Sequence, residues 1–148
     1  MSMAKKKLPK KDISVDGTLF ATGKRKRAVA RAALRPGKGV VRINGVPLHI
    51  LSDELARLRI QEPLLIAGDV AKGFDITVTV NGGGPNGQAE ASRMAIARCL
   101  ADQLGDDLRK QFMAYDRNML IYDQRRTETH KPPHSSWGAR RYKQRSKR

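Results

Sequence analysis

The chain has 148 residues, a formal net charge of +16 and a pI near 10.7, with 39% hydrophobic and 5% aromatic residues. A core of this composition is small and mostly aliphatic, and a positive charge of this size implies a polyanionic partner. The single cysteine, Cys99, excludes an internal disulfide, and no stretch approaches about eighteen consecutive apolar residues, so no helical membrane span is expected.

The charge is segregated along the chain. Residues 1–42 hold thirteen Lys/Arg against two acids, residues 43–124 hold eight against eleven, and residues 125–148 hold nine against one. A slightly acidic body is thus flanked by strongly basic segments. Residues 1–17 combine lysine runs with Pro9 and few aliphatics, which reads as a disordered basic extension. The opening "MSMAKKKLPKK" leads into no apolar run, so a secretory leader is not expected and a soluble intracellular protein is.

From Lys26 to Leu34 small apolar residues alternate with arginines. Read as a strand, this places Ala28, Ala30, Ala32 and Leu34 on one face and Arg25, Arg27, Arg31 and Arg35 on the other. Helical spacing of Arg27, Arg31 and Arg35, with alanine's helix propensity, is the rival reading. The flanks favour strand: "PGKG" at 36–39 is a turn and "VVRI" at 40–43 is short and β-branched, together a hairpin. "NG" at 44–45 marks a second turn.

Ser52 is a candidate N-cap, followed by Asp53 and Glu54 where the helix dipole favours acids. Leu51, Leu55 and Leu58 keep helical spacing, Pro63 should interrupt the helix, and "LLIAG" should form a second short piece ending near Gly68. "FDITVTV" at 74–80 is the clearest strand, alternating apolar with polar residues. After "NGGGPNGQ" a helix is expected over about 88–104, with Ile96, Leu100 and Leu104 on the face toward the sheet and Ala97 and Ala101 beside them. A further helix is expected over about 106–114. Beyond Arg125 no periodicity survives, and Pro132 and Pro133 forbid a continuous helix. The order of elements predicts an α+β two-layer sandwich with helices on one face of a small sheet.

Three constellations invite chemistry. "GGGPNG" at 82–87 follows a strand and opens a helix, the geometry in which backbone N–H groups hold an anion, but it lacks the Lys-Ser/Thr of a P-loop. A tight turn combined with close approach of an RNA backbone is the preferred reading. His49, His130, His134 and Cys99 match no zinc spacing, and Cys99 reads as an inert small helix residue. Trp137 and Tyr142 stand among tail arginines, a mixture suited to phosphate pairing and base stacking.

Together "TGKRKRAVARAALRPGKGVVRINGVPL", "ITVTVNGGGPNGQAEASRMAIARCL", "YDRNMLIYDQRRTETHKPP" and the closing "SKR" resemble the small-subunit ribosomal protein nine family over residues 18–148. "RRTE…KPP" and "EPLLIAG" look like its archaeal and eukaryotic branch. The resemblance implies an α+β body, residues 18–124, with a left-handed β-α-β crossover, seated on ribosomal RNA in the head of the small subunit beside neighbouring head proteins. It implies a long extended basic tail, residues 125–148, whose end reaches transfer RNA in the P site. Basic pattern and resemblance together make Lys24, Arg25, Lys26, Arg27, Arg31, Arg35, Lys38, Gly82, Gly83, Gly84, Gln88 and Arg93 the candidate ribosomal RNA contacts of the body. In the tail they are Arg125, Arg126, Lys131, Arg140, Arg141, Lys143 and Arg145, while Lys147 and Arg148 are the candidate transfer RNA contacts. No catalytic residue, metal, cofactor or membrane partner is expected. A free nucleic-acid-binding module and a small kinase-like enzyme are the alternatives; the first lacks the family motifs and the second lacks a catalytic acid with a magnesium constellation.

Overall fold

The first strand, β1 (Leu19–Arg25), buries Leu19, Ala21 and Gly23 and exposes Phe20, Thr22 and Lys24, so one face is committed to a core and the other is left open. The computed structural model describes residues 17–126. Within them β2 (Ala28–Pro36), β3 (Val41–Ile43), β4 (Val46–Pro47) and β5 (Phe74–Asn81) complete a five-stranded mixed sheet in the order β1-β2-β5-β3-β4. The helices are α1 (Glu54–Ala67), α2 (Pro85–Leu104) and α3 (Asp106–Tyr115), with single 3-10 segments at Leu48–Ile50, Gly68–Gly73 and Arg117–Met119. The fold is α+β, as the element order predicts. The expectations for the extension before Gly17 and the tail after Arg126 lie outside the described residues.

The expected hairpin between β2 and the 40–43 segment does not form, because β5 lies between them. β5 pairs antiparallel with β2 over eight register positions and parallel with β3, whereas β3 has only three residues to offer β2. The longer ladder, with Ile76 and Val78 fully buried at its centre, satisfies more backbone than the local one would. The loop after β2 is shaped instead by Asp75. Its carboxylate accepts from Lys38 N at 2.8 Å and Val40 N at 2.9 Å, and it fills the space where a Cβ on Gly37 would stand. These N–H donors hold the Asp75 carboxyl below the usual carboxylate range.

The true local hairpin is β1–β2, closed by Lys26 and Arg27, with Lys26 in the left-handed region at φ 52°. The 44–45 turn joins β3 to β4 as expected. Asn44 also prolongs the β3–β5 ladder, since its side-chain amide donates to Val80 O and accepts from Val80 N.

α1 departs from expectation twice. Its N-cap is Asp53, not Ser52, and accepts from Leu55 N at 3.1 Å and Ala56 N at 3.2 Å. The helix runs through Pro63, which is fully buried, so packing offsets the one backbone bond that proline cannot donate. Its inward face is Ala56, Ile60 and Pro63, while Leu55 and Leu58 are 69% and 51% exposed. Ion pairs flank this inward face: Arg59 reaches Glu90 at 3.0 Å and Glu62 reaches Arg93 at 2.5 Å, both on α2.

α2 begins earlier than expected, with Pro85 at the first turn, where its fixed φ suits a helix start. It is the central element, packed on β1, β2 and β5 and flanked by α1 and α3, so it buries residues around most of its circumference. Many of them are alanines, and β1 answers with Gly23, where a Cβ would stand 2.0 Å from Ala91 O. Cys99 lies beneath β1 and β2, and burial pushes its thiol up to about 12. Arg98 leaves the same helix to reach the free edge of β1, donating to Thr22 O at 2.6 Å and, through Nε and Nη2, to Leu120 O at 2.9 and 2.7 Å. Among the described residues no helix is long and apolar enough to cross a membrane.

Candidate nucleic-acid interface

The β1–β2 turn and the glycine-rich loop 82–84 meet at one end of the sheet. Gly82 and Gly83 have φ of +78° and +69°, and a Cβ on Gly82 would stand 2.7 Å from Arg27 O. Glycine is therefore required both by the turn and by the contact with the hairpin. Gln88 stitches the loop to its own helix by donating from Nε2 to Gly82 O at 3.2 Å. Gly84 is the N-cap of α2 and has no side chain to cap it. Arg25, Lys26 and Arg27 line an open recess of about 320 Å³ with Gly83, Pro85 and Asn86. A larger recess, about 490 Å³, lies along the free edge of β1 beside Arg98, Arg109 and Asp102.

The expected row of four arginines is divided by the turn. Arg25 belongs to β1 and Arg27 to the turn, so β2 itself presents Arg31 and Arg35 on the open face. Lys24 shares that face from β1. Arg35 donates from Nε to Thr18 Oγ1 at 3.1 Å. Lys24, Lys26, Arg27, Arg31 and Lys38 are exposed and form no ion pair with the described residues.

Three further candidate arginines, Arg25 and Arg93 of the body and Arg125 at the start of the tail, are held by acids. Arg25 bridges Glu90, at 3.1 Å, and Asp123. Arg93 has a side chain only 13% exposed and lies between Glu62 and Asp116, at 2.5 and 2.7 Å. Arg125 donates to Asp123 from its side chain at 2.8 Å and from its backbone N at 2.8 Å. These bonds, with that from Arg25, hold the Asp123 carboxyl far below the usual range, and Asp123 in turn raises Arg125. Arg126 stands over the Tyr122 ring at 5.9 Å. Lys131, Arg140, Arg141, Lys143, Arg145, Lys147 and Arg148, with Trp137 and Tyr142, lie outside the described residues.

Sequence reasoning missed Phe20 and Arg42 on the open face. Phe20 belongs to a strand whose inner positions, Leu19, Ala21 and Gly23, give little apolar contrast. Arg42 was legible once β3 was recognised, because it alternates with Val41 and Ile43. Among the described residues no group of three or more His, Cys, Asp or Glu is arranged to hold a metal.

What this surface offers is an exposed set of cations beside a backbone loop without side chains. The family described as ribosomal protein S9/S16 matches residues 23–148. The small ribosomal subunit protein uS9 of Aeropyrum pernix is 47% identical over 153 aligned positions, covering 92% of this chain and 100% of the relative. The chain belongs to the ribosomal protein S9/S16 family.

Proposed function

We propose that this chain is a structural component of the small-subunit head, bound to ribosomal RNA through the open sheet face, the β1–β2 turn and its basic segments, and located with the ribosome in the cytoplasm. The observation that carries this reading is the set Lys24, Lys26, Arg27, Arg31 and Lys38, exposed and unpaired among the described residues in a chain of a ribosomal protein family. Cations without protein partners release counterions from RNA at no cost in broken ion pairs. Gly82, Gly83 and Gly84 present backbone N–H groups with no side chain to hold a phosphate away. Proteins of this family are structural rather than enzymatic.

The finer assignments follow the family resemblance. The body is residues 18–124 and the tail 125–148. Lys131, Arg140, Arg141, Lys143 and Arg145 hold ribosomal RNA along the tail, and Lys147 and Arg148 touch phosphates of P-site transfer RNA. The connection from β3 through α1 to the parallel strand β5 is the unit whose left-handed crossover the resemblance implies. The exposed leucines of α1, Leu55, Leu58 and Leu65, suit contact with neighbouring head proteins.

Co-sedimentation with small subunits tests the main reading, because a protein that stays at the top of the gradient is no subunit component. Deleting Lys147 and Arg148 tests the tail. Incorporation should persist, and transfer RNA affinity of the P site should fall by about 1–3 kcal/mol if both charge-assisted contacts are lost. Unchanged affinity in subunits that contain the truncated chain would remove the tip from the P site.

A further inference from the structure

Phosphate binding alone does not account for the open face of the sheet, because an aromatic ring stands in it. Phe20 is 59% exposed on β1, on the same face as Lys24 and the β2 arginines. It lies opposite Ala33, whose small side chain leaves the space over the sheet unfilled. Ala33 lies opposite Thr77 on β5, and Thr77 opposite Arg42 on β3. Arg31 and Arg35, two positions either side of Ala33, are the diagonal neighbours of Phe20, about 7–8 Å away in a pleated sheet.

The charge of this face is one-sided. Lys24, Arg31, Arg35 and Arg42 stand against a single acid on its strands, Asp75, whose carboxylate is already bound by two backbone N–H groups of the following loop. Thr22, Thr77, Thr79 and Asn81 fill most of the remaining positions with short polar side chains and Val29 takes the one opposite Lys24, so among the described residues of these strands nothing tall shields the ring. A flat, positive, polar platform with one exposed ring is complementary to a strand whose phosphates and base faces are both available. A duplex buries its base faces within its own stack and leaves such a ring without a partner.

We infer that the open sheet face takes an unpaired segment of RNA, with Phe20 stacked on one base and Arg31 and Arg35 holding phosphates on either side. This rests on the RNA reading above and goes beyond it by naming the form of RNA and the residue that recognises a base. Stacking is tolerant of base identity, so the face selects single-stranded geometry rather than a sequence.

Small subunits carrying the full-length protein are irradiated at 254 nm, and the cross-linked peptides are mapped by mass spectrometry. The expected product joins Phe20 to an unpaired ribosomal RNA nucleotide. In parallel, Phe20→Ala and Phe20→Trp proteins are titrated with purified small-subunit ribosomal RNA at several salt concentrations. Phe20→Ala should bind roughly 5- to 100-fold more weakly with an unchanged salt slope, since stacking releases no counterion, and Phe20→Trp should restore binding. Circular dichroism on both variants checks that the fold is kept. If the protein sediments with the subunit but Phe20 attaches to a paired nucleotide, to a protein or to nothing, or if Phe20→Ala binds like wild type, the stacking inference is wrong and the RNA reading stands. If the protein does not sediment with the subunit, both fall together.

Discussion

The two faces of β1 and β2 come from one alternating sequence and meet opposite demands. Inward, Gly23, Ala28, Ala30 and Ala32 are small enough to bring the backbone of α2 against the strands. Outward, Phe20, Lys24, Arg31 and Arg35 are long or flat and have no layer above them in the described residues. The cations divide in the same way. Those directed toward the helices, Arg25, Arg59 and Arg93, are met by Glu90, Asp123, Glu62 and Asp116, whereas those on the open side and the turn form no ion pair among the described residues. In a basic protein, the placement of the few acids distinguishes cations that hold the fold from cations that are available.

The strongest way to break this contrast is on the inward face. Gly23→Ala should destabilise the protein by about 3 kcal/mol or more, because the new methyl meets backbone atoms of Ala91 and Ala95 that cannot rotate away. A urea midpoint equal to wild type would show that the helix–strand contact is not a constraint. Next comes a helix-side cation. Arg93→Met should cost about 2–3 kcal/mol, between the exposed and the buried ion-pair cases, since it leaves Glu62 and Asp116 facing each other's charge. Its RNA binding should keep the wild-type salt slope; a lower slope with unchanged stability would move Arg93 into the available set. On the outward face, Arg31→Gln should change stability by no more than about 0.5 kcal/mol. It should lower the salt slope of RNA binding by about 0.7–0.9, one phosphate contact, read from titrations across a salt series.

The smallest effect concerns Asp75. Because its folded pKa is depressed, its carboxylate contributes stability that is fully present above the ordinary value of 3.8 and is lost as pH falls through the lower folded value. Asp75→Asn should therefore be less stable than wild type at neutral pH, and the difference should shrink on acidification. A difference that is constant with pH would assign the effect to shape rather than charge.

Much of the fold was legible where one face is strongly apolar. β5, with Ile76, Val78 and Val80 alternating with threonines, and α3, with Leu108 and Phe112, declare their period in a short window. β1 did not, because Leu19, Ala21 and Gly23 fade toward glycine just where the helix must come closest. The pairing of β2 was misjudged because the choice between β3 and β5 depends on a ladder formed some forty residues away, which no local turn signal reports. On α1 the helical spacing of Leu55 and Leu58 does not report which side turns inward, because the buried face is Ala56, Ile60 and Pro63, flanked by the ion pairs of Arg59 and Glu62 with α2. Within the candidate site, Arg31 was legible from alternation alone. Arg25 and Arg93 could not be told from it, because the acids that hold them, Asp123 and Asp116, stand 98 and 23 residues away in sequence.

Arg98 has a consequence that belongs to the time before any assembly. The outer edge of β1 is a row of backbone groups onto which a strand of a second copy could add, and a concentrated, unassembled chain meets such copies constantly. The guanidinium occupies the Thr22 carbonyl on that edge and ties it to the carbonyl of Leu120. An incoming strand would have to displace this charged donor from the Thr22 carbonyl, and it would bring the cation up against an equally basic molecule. One arginine is thereby withdrawn from the exposed cations and covers part of the open edge of the sheet, the kind of charged cover that edge strands carry against strand addition.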